Sequence, residues 1–167
     1  MRFRPPRVLP DTGPQAATTA GLVLLGLREL TRAQLRMRLL RKGYPEASVA
    51  EAIARLTLTG ALDDQRAARA RARHDLNIRR QGRSRILRQV QALGVDSETA
   101  HDAVARAFEG VDEDRQIAEA VTRRLRGAPP PSEPKEVRRL QAWLIRQGFA
   151  SDRVLRLLRR RFEIDEN

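Results

Sequence analysis

Arginine is the residue type whose number and spacing could do chemistry in this chain. The 167 residues carry 33 basic and 21 acidic side chains, and the net charge is +12 at pH 7. Only Lys42 and Lys135 are lysines, so 31 of the basic residues are arginines. Guanidinium forks bind phosphates in bidentate fashion, and a strongly positive field favours polyanionic partners. A GC-rich genome that writes arginine codons for lysine would give the same bias, so composition leaves both explanations open.

The arginines concentrate in two segments. Nine of them lie between Arg66 and Arg88, where Asp75 is the one acid. The second segment is the last predicted helix, where Arg153, Arg156 and Arg160 share one face. Spacings of three and four place several on a single helical face. Because the clusters lack interleaved acids, we expect a polyanion partner rather than a solvated face. The candidates for binding nucleic acid or a partner protein are Arg66, Arg69, Arg73, Arg79, Arg80, Arg83, Arg85, Arg88, Arg153, Arg156 and Arg160.

The expected chemistry is phosphate contact rather than base reading. Such contact releases counterions and gives an affinity that falls steeply with salt. Stacking of single-stranded bases needs exposed aromatic rings, and aromatic residues make up only 4% of the chain. The aromatic residues of the folded part fall on core-facing positions, so we assign them to packing: Tyr44, Phe108, Trp143, Phe149 and Phe162.

Other kinds of site have little support. His74 and His101 are far apart in the chain, and no cysteine is present, so we expect no catalytic residue, metal or cofactor. Asp63 and Asp64 begin an alanine- and arginine-rich helix. We expect Asp63 to cap its N-terminus and Asp64 to interact favourably with the positive end of the helix dipole. A metal site on this pair is the alternative. The apolar run Ala16–Leu27 is too short to span a bilayer, so we expect a cytoplasmic protein without membrane contact. We also expect a monomer.

Three stretches of the chain align on a glycine. Each has apolar residues eight and four positions before that glycine, another directly after it, and two more six and ten positions beyond. Spacings of four keep one helical face apolar, and the glycine ends the first helix in a left-handed cap. Each stretch is therefore predicted to be a helical hairpin. The stretches are Leu35–Thr57, Ile86–Phe108 and Leu140–Phe162, aligned on Gly43, Gly94 and Gly148.

A further helix is predicted in front of each hairpin, at about 20–30, 64–80 and 112–126. β-branched alternation is absent, so no strand is expected. The predicted fold is all-α, with three tandem three-helix, helix–turn–helix-like repeats forming an elongated, curved array. The predicted divisions are a disordered, proline- and arginine-rich tail (1–19) and repeats at 20–62, 63–111 and 112–167, the last with a proline-rich loop at 127–135.

Several motifs in this order resemble the RecX family of regulatory proteins. They are RELTRAQLRMRLLRKGY, GALDDQRAA, RRQGRSRILRQVQALGV and WLIRQGFASDRV, within Leu27–Phe162. Ala67 departs from the family pattern, which usually has an aromatic residue shortly after the aspartate pair. The residues that carry the structural motifs are Gly43, Leu62, Asp63, Asp64, Gly82, Gly94, Gly148 and Phe149.

The resemblance implies a negative regulator of the RecA recombinase. Such a protein would bind in the groove of the RecA–single-stranded DNA filament and inhibit ATP hydrolysis and strand exchange. Single-stranded DNA is the expected nucleic acid, and duplex DNA stays open. Two alternatives remain: a standalone nonspecific DNA- or RNA-binding protein, and a basic adaptor for an acidic protein.

Overall fold

The computed structural model describes residues 11–162, and within that range every regular element is an α-helix. The predicted all-α fold class is confirmed. Residues 1–10 and 163–167 lie outside the described range, and with them most of the predicted tail. The helices are α1 (Pro14–Leu27), α2 (Arg32–Arg41), α3 (Glu46–Leu58), α4 (Asp64–Asn77), α5 (Arg83–Gln91), α6 (Ser97–Ala107), α7 (Glu113–Leu125), α8 (Pro134–Arg146) and α9 (Ser151–Phe162).

The helices group into two compact units. The first unit contains the described part of Met1–Ala70 together with Val90–Ala100, and the second contains Arg71–Gln89 together with the described part of His101–Asn167. Helices α4, α5 and α6 each contribute residues to both units. The division into three repeats remains a prediction, since the boundaries of the two compact units differ from those of the predicted repeats.

The first unit has its core among α1, α2 and α3. Six fully or almost fully buried side chains form it: Leu30, Leu35, Leu39, Val49, Leu56 and Leu62. Gly21 of α1 lies where a Cβ atom would meet the Leu56 side chain at 2.7 Å, so the two helices approach closely there. The residue four positions before Gly43 and the residue six positions after it are both in this core, as the hairpin pattern requires.

The second unit has its core among α7, α8 and α9. The buried residues are Ile117, Ala120, Val121, Val137, Leu140, Leu144, Phe149, Val154 and Leu158. At the end of α8, the Phe149 amide donates to the Leu144 carbonyl at 3.3 Å and the Gly148 amide donates to Ile145 at 2.9 Å. Gly148 has φ +94°, so the predicted left-handed glycine cap is present and turns the buried ring of Phe149 onto the preceding helix.

The aspartate pair joins α3 to α4 by capping two different helices. The Asp63 carboxylate accepts from the Arg66 amide at 3.0 Å and caps α4. The Asp64 carboxylate accepts from the Arg32 amide at 2.7 Å and from Arg32 Nε at 2.9 Å. It therefore lies at the N-terminus of α2, 32 residues earlier in the chain. Leu62, just before the pair, is 1% exposed and anchors this joint in the first core.

Three predicted boundaries are wrong by a few residues. Helix α1 begins at Pro14 rather than near residue 20, because proline is favoured at the first helical position. Helix α4 ends at Asn77 rather than Arg80, which adopts a left-handed φ of +53°. Helix α8 begins at Pro134, so the proline-rich loop ends at Glu133. None of the helices in the described range is both long and apolar enough to span a membrane.

Candidate nucleic-acid interface

Arg66, the first candidate on α4, is engaged within the first unit. Its Nε lies 2.8 Å from the Glu29 carboxylate, and its two terminal nitrogens donate to the backbone carbonyls of Gly60 and Ala61 at 3.1 and 2.9 Å. The Asp63 carboxylate lies 3.9 Å away. Arg66 therefore stabilises the turn between α3 and α4. Its guanidinium nitrogens are already hydrogen-bonded within the chain.

The other two candidates on α4 differ from Arg66. Arg69 is half-buried in the first unit and donates to Gln65 Oε1 at 3.2 Å. Arg73 belongs to the second unit, is exposed, and forms no ion pair with any residue in the described range. The three candidates on α4 thus comprise a structural arginine, a half-buried one and an exposed one.

Asp75, the one acid in this segment, is fully buried in the second unit. Arg71 Nε donates to its carboxylate at 2.5 Å, Arg79 Nε lies 3.4 Å away and His74 Nδ1 lies 3.2 Å away. A buried carboxylate is tolerated only when it is paired and hydrogen-bonded. Asp75 therefore fixes three basic side chains. Its burial by tertiary packing could not be foreseen from its place in an arginine-rich run.

Gly82 is the point where α5 docks on the end of α8. Its amide donates to the Gln147 carbonyl at 2.9 Å, and the Ser84 amide donates to the Gly148 carbonyl at 3.1 Å. A Cβ atom at Gly82 would lie 2.3 Å from the Gly148 carbonyl carbon. The close approach at Gly82 is therefore to the chain's own backbone, in the second unit.

The arginines that flank Gly82 on α5 are mostly held in place. Arg83 lies 3.3 Å from the Glu113 carboxylate and covers the Phe108 ring at 4.5 Å. Arg85 donates to the Arg146 carbonyl and to the Gln147 side chain at 3.3 and 3.2 Å. Arg88 is exposed and has no ion pair with the described residues.

Helix α9 likewise carries both paired candidates and an exposed, unpaired one. Arg153 bonds to the Asp114 carboxylate at 3.0 Å, and this bond raises the pKa of Arg153 above its ordinary value. Arg156 pairs with Asp152 at 3.5 Å. Arg160 is exposed, with no ion pair to any described residue.

The expectation that these clusters lack acids is therefore wrong in part. Five candidates are paired with carboxylates: Arg66, Arg79, Arg83, Arg153 and Arg156. Most of their partners lie 30 or more residues away along the chain or come from a neighbouring helix, so local sequence could not reveal them. Four exposed candidates form no ion pair within residues 11–162: Arg73, Arg80, Arg88 and Arg160.

The second unit also contains a cleft that sequence reasoning missed, named the arginine cleft here. Its volume is about 220 Å³, and five of its eight lining residues are arginines. The run RRLRG at residues 123–127, at the end of α7, is the available signal in the sequence. The lining residues are Arg79, Arg80, Ala120, Arg123, Arg124, Arg126, Trp143 and Gln147.

Trp143 forms one wall of the arginine cleft. The ring packs against the second core and is half-buried, and the Arg124 guanidinium lies over it at 5.4 Å from the ring centre. The assignment of this ring to packing is therefore incomplete, since it also faces the cleft. In the described range, no three histidine, aspartate or glutamate side chains come together in a way that could hold a metal ion.

Comparison with known proteins identifies related sequences over most of the chain. A family model described as RecX, first three-helix domain, matches residues 17–56. The regulatory protein RecX of Mycolicibacterium smegmatis is 34% identical over 148 residues, covering 84% of this chain and 76% of that relative. The regulatory protein RecX of Pelodictyon phaeoclathratiforme is 30% identical over 149 residues, covering 89% of this chain and 91% of the relative.

Two solved structures share the fold. One is a crystal structure of regulatory protein RecX, with a TM-score of 0.72 and 21% identity, covering 88% of this chain and 71% of the other. The second is RecX from Lactobacillus salivarius, with a TM-score of 0.68 and 20% identity, covering 88% and 95% of the two chains. At these identities the likeness concerns the fold.

Proposed function

Because the chain belongs to the RecX family of regulatory proteins, we propose that it is a negative regulator of the RecA recombinase. In this proposal it binds as a monomer in the groove of the RecA–single-stranded DNA filament and inhibits ATP hydrolysis and strand exchange. The observation that carries the proposal is the similarity to named regulatory proteins over most of both chains.

The charge of the chain supports contact with the DNA of such a filament. The net charge is +12, and Arg73, Arg88 and Arg160 are exposed without an ion pair among the described residues. Exposed guanidiniums neutralise phosphates and release counterions. Paired arginines such as Arg66 serve the fold instead, so the contacts to DNA come from the exposed set.

The proposed regulator is not an enzyme and acts by binding alone. The ATP that is hydrolysed belongs to RecA, so the protein changes that rate by altering the filament. Contacts to both RecA and phosphates would couple binding to the filament rather than to free DNA. Inhibition should therefore weaken as salt rises, because the phosphate contacts are lost first.

The test is a titration of RecA's single-strand-dependent ATP hydrolysis with this protein at several salt concentrations. Inhibition that falls with salt is the expected result. The double variant Arg73→Gln/Arg88→Gln should inhibit less. The control, Arg55→Gln/Arg115→Gln, removes the same charge from surface i, i+4 pairs with Glu51 and Glu119, and it should inhibit like the wild type.

Two other results would reject the proposal. Salt-sensitive DNA binding with no effect on RecA turnover would make the protein a standalone nucleic-acid binder. Neither DNA binding nor inhibition at moderate salt would leave an adaptor for an acidic protein.

A further inference from the structure

We propose that the arginine cleft of the second unit binds the phosphodiester backbone of single-stranded nucleic acid, with a base against the Arg124–Trp143 pair. This inference rests on the proposed function and names the surface that would contact the DNA.

Two arginines of the cleft occupy backbone conformations that disfavour arginine. Arg80 has φ +53° and Arg126 has φ +48°, and they are the non-glycine residues with positive φ in the described range. Glycine or asparagine adopts this conformation more easily than other residues. Both side chains are exposed and make no ion pair with described residues, so the fold does not explain why arginine stands there.

Both of these residues line the same cleft. At Arg126 the left-handed turn is the C-cap of α7, and its amide donates to the Thr122 carbonyl at 3.2 Å. The helix end therefore accounts for the turn but not for the arginine side chain, and non-glycine residues in this conformation also cluster at binding sites. The guanidinium groups at Arg80 and Arg126 thus stand in one cleft, at positions where the backbone conformation favours glycine.

The cleft carries cations without local compensation. None of its eight lining residues is acidic, and of its five arginines only Arg79 has an ion pair in the described part of the chain, with Asp75 at 3.4 Å. Arg123 and Arg124 lie in the last turn of α7, where the helix dipole favours a cation. That effect does not extend to the strained Arg80. Several guanidiniums around one small cleft repel one another until an anion enters.

The wall of the cleft favours single-stranded nucleic acid over an acidic peptide. Trp143 is half-buried, with the Arg124 guanidinium over its ring at 5.4 Å. Bases of a single strand stack on aromatic rings and on guanidinium planes, whereas carboxylate side chains can pair with the guanidinium groups but gain nothing from the ring. A duplex keeps its bases stacked inside and offers only its phosphates.

The test uses the full chain with Arg80→Gly/Arg126→Gly. Glycine suits both left-handed positions, so this variant removes two cations while relieving backbone strain, and its Tm should equal or exceed that of the wild type. Arg55→Gln/Arg115→Gln is the control with the same net charge. Binding of a short oligothymidylate to the protein alone is followed by the fluorescence of Trp143, the one tryptophan of the chain, and polyglutamate serves as the acidic-polypeptide probe.

Wild type and control should bind the oligothymidylate with a change in Trp143 fluorescence. The cleft variant should bind about ten-fold more weakly or worse at low salt. The slope of log affinity against log salt should be shallower by about 1.4, since two phosphate contacts are lost from a single strand. Polyglutamate should bind weakly to all three proteins.

Equal binding by the cleft variant and the control would overturn the inference. The proposed function would still stand if the wild type inhibited RecA. Loss of polyglutamate binding by the cleft variant, with oligothymidylate binding intact, would assign the cleft to an acidic protein and also overturn the inference. Cleft-dependent DNA binding without any effect on RecA would support the inference and reject the proposed function.

Discussion

The contact between Gly82 and Gly148 makes a quantitative prediction for the second unit. A Cβ atom added by Gly82→Ala would lie 2.3 Å from the Gly148 carbonyl carbon and 2.4 Å from the Phe149 amide nitrogen, where ordinary contact begins at 3.4 Å. Both obstacles are backbone atoms, which cannot rotate away as a side chain can. The end of α8 and the start of α5 must therefore separate by roughly 1 Å.

The expected cost follows from what that separation breaks. The hydrogen bonds from Gly82 to Gln147 and from Ser84 to Gly148, at 2.9 and 3.1 Å, contribute about 1 kcal/mol each. Overpacking adds roughly 1–3 kcal/mol. The free energy of unfolding of the second unit should fall by about 3–5 kcal/mol, a large share of the 5–15 kcal/mol typical of a small protein.

Urea unfolding followed by Trp143 fluorescence measures this change. The ring packs against the second core, so its signal reports on that unit. The matched control is Gly127→Ala, which has φ +81° but open space around the new Cβ atom, and it should cost only about 1 kcal/mol of backbone strain. If Gly82→Ala lowered stability no more than Gly127→Ala, the close backbone contact would not be what holds α5 to α8.

Two further predictions concern the first unit. The Thr31 hydroxyl donates to the Leu93 carbonyl at 2.6 Å and accepts from the Gln34 amide at 3.2 Å, so Thr31→Val should lower the free energy of unfolding by about 2–4 kcal/mol. Thr31→Ser keeps both bonds and should cost under half as much in urea unfolding followed by circular dichroism; equal losses would show that the hydroxyl is not what matters. Hydrogen bonds from the backbone and side chain of Thr99 lower the pKa of Asp96, so the stability that Asp96 contributes is present above its unfolded pKa of about 3.9 and lost as pH falls through the lower folded value. The stability difference between wild type and Asp96→Ala should thus be constant near neutral pH and shrink below about pH 4, and a difference that grew on acidification would contradict the cap.

The features that could be predicted from sequence are local ones. Leu35 and Leu39 before Gly43, with Val49 after it, follow the period of a helix, and all three are buried. The Asp63 cap needed only the residues that follow it. Such features depend on spacings within one or two helical turns, and a single sequence displays them directly.

The parts that could not be predicted depend on tertiary placement. Arg66 pairs with Glu29, which lies 37 residues away in the sequence, and Arg83 pairs with Glu113, which lies 30 residues away. Only the folded chain brings these charges together, so an arginine-rich run looked uncompensated. The arginine cleft was missed because its lining comes from three separate stretches of the chain, at residues 79–80, 120–126 and 143–147. In addition, no local rule predicts a left-handed arginine such as Arg80 or Arg126.

The interleaved make-up of the two units has a consequence for biosynthesis. The first unit uses the chain up to Ala70 and then Val90–Ala100, while Arg71–Gln89 belongs to the second. A ribosome that makes about 5–20 residues per second delivers segments in chain order. The first unit therefore cannot finish folding until the segment Val90–Ala100 has been translated. For example, the hydrogen bond from the Thr31 hydroxyl to the Leu93 carbonyl needs a residue of that segment. The segment 71–89 meanwhile emerges before its partners in α7, α8 and α9 exist. The backbone around Gly82, which is buried in the folded protein, thus remains without its hydrogen-bond partners until Gln147 and Gly148 have been made, and a chaperone or a protease could act on the nascent chain in that interval.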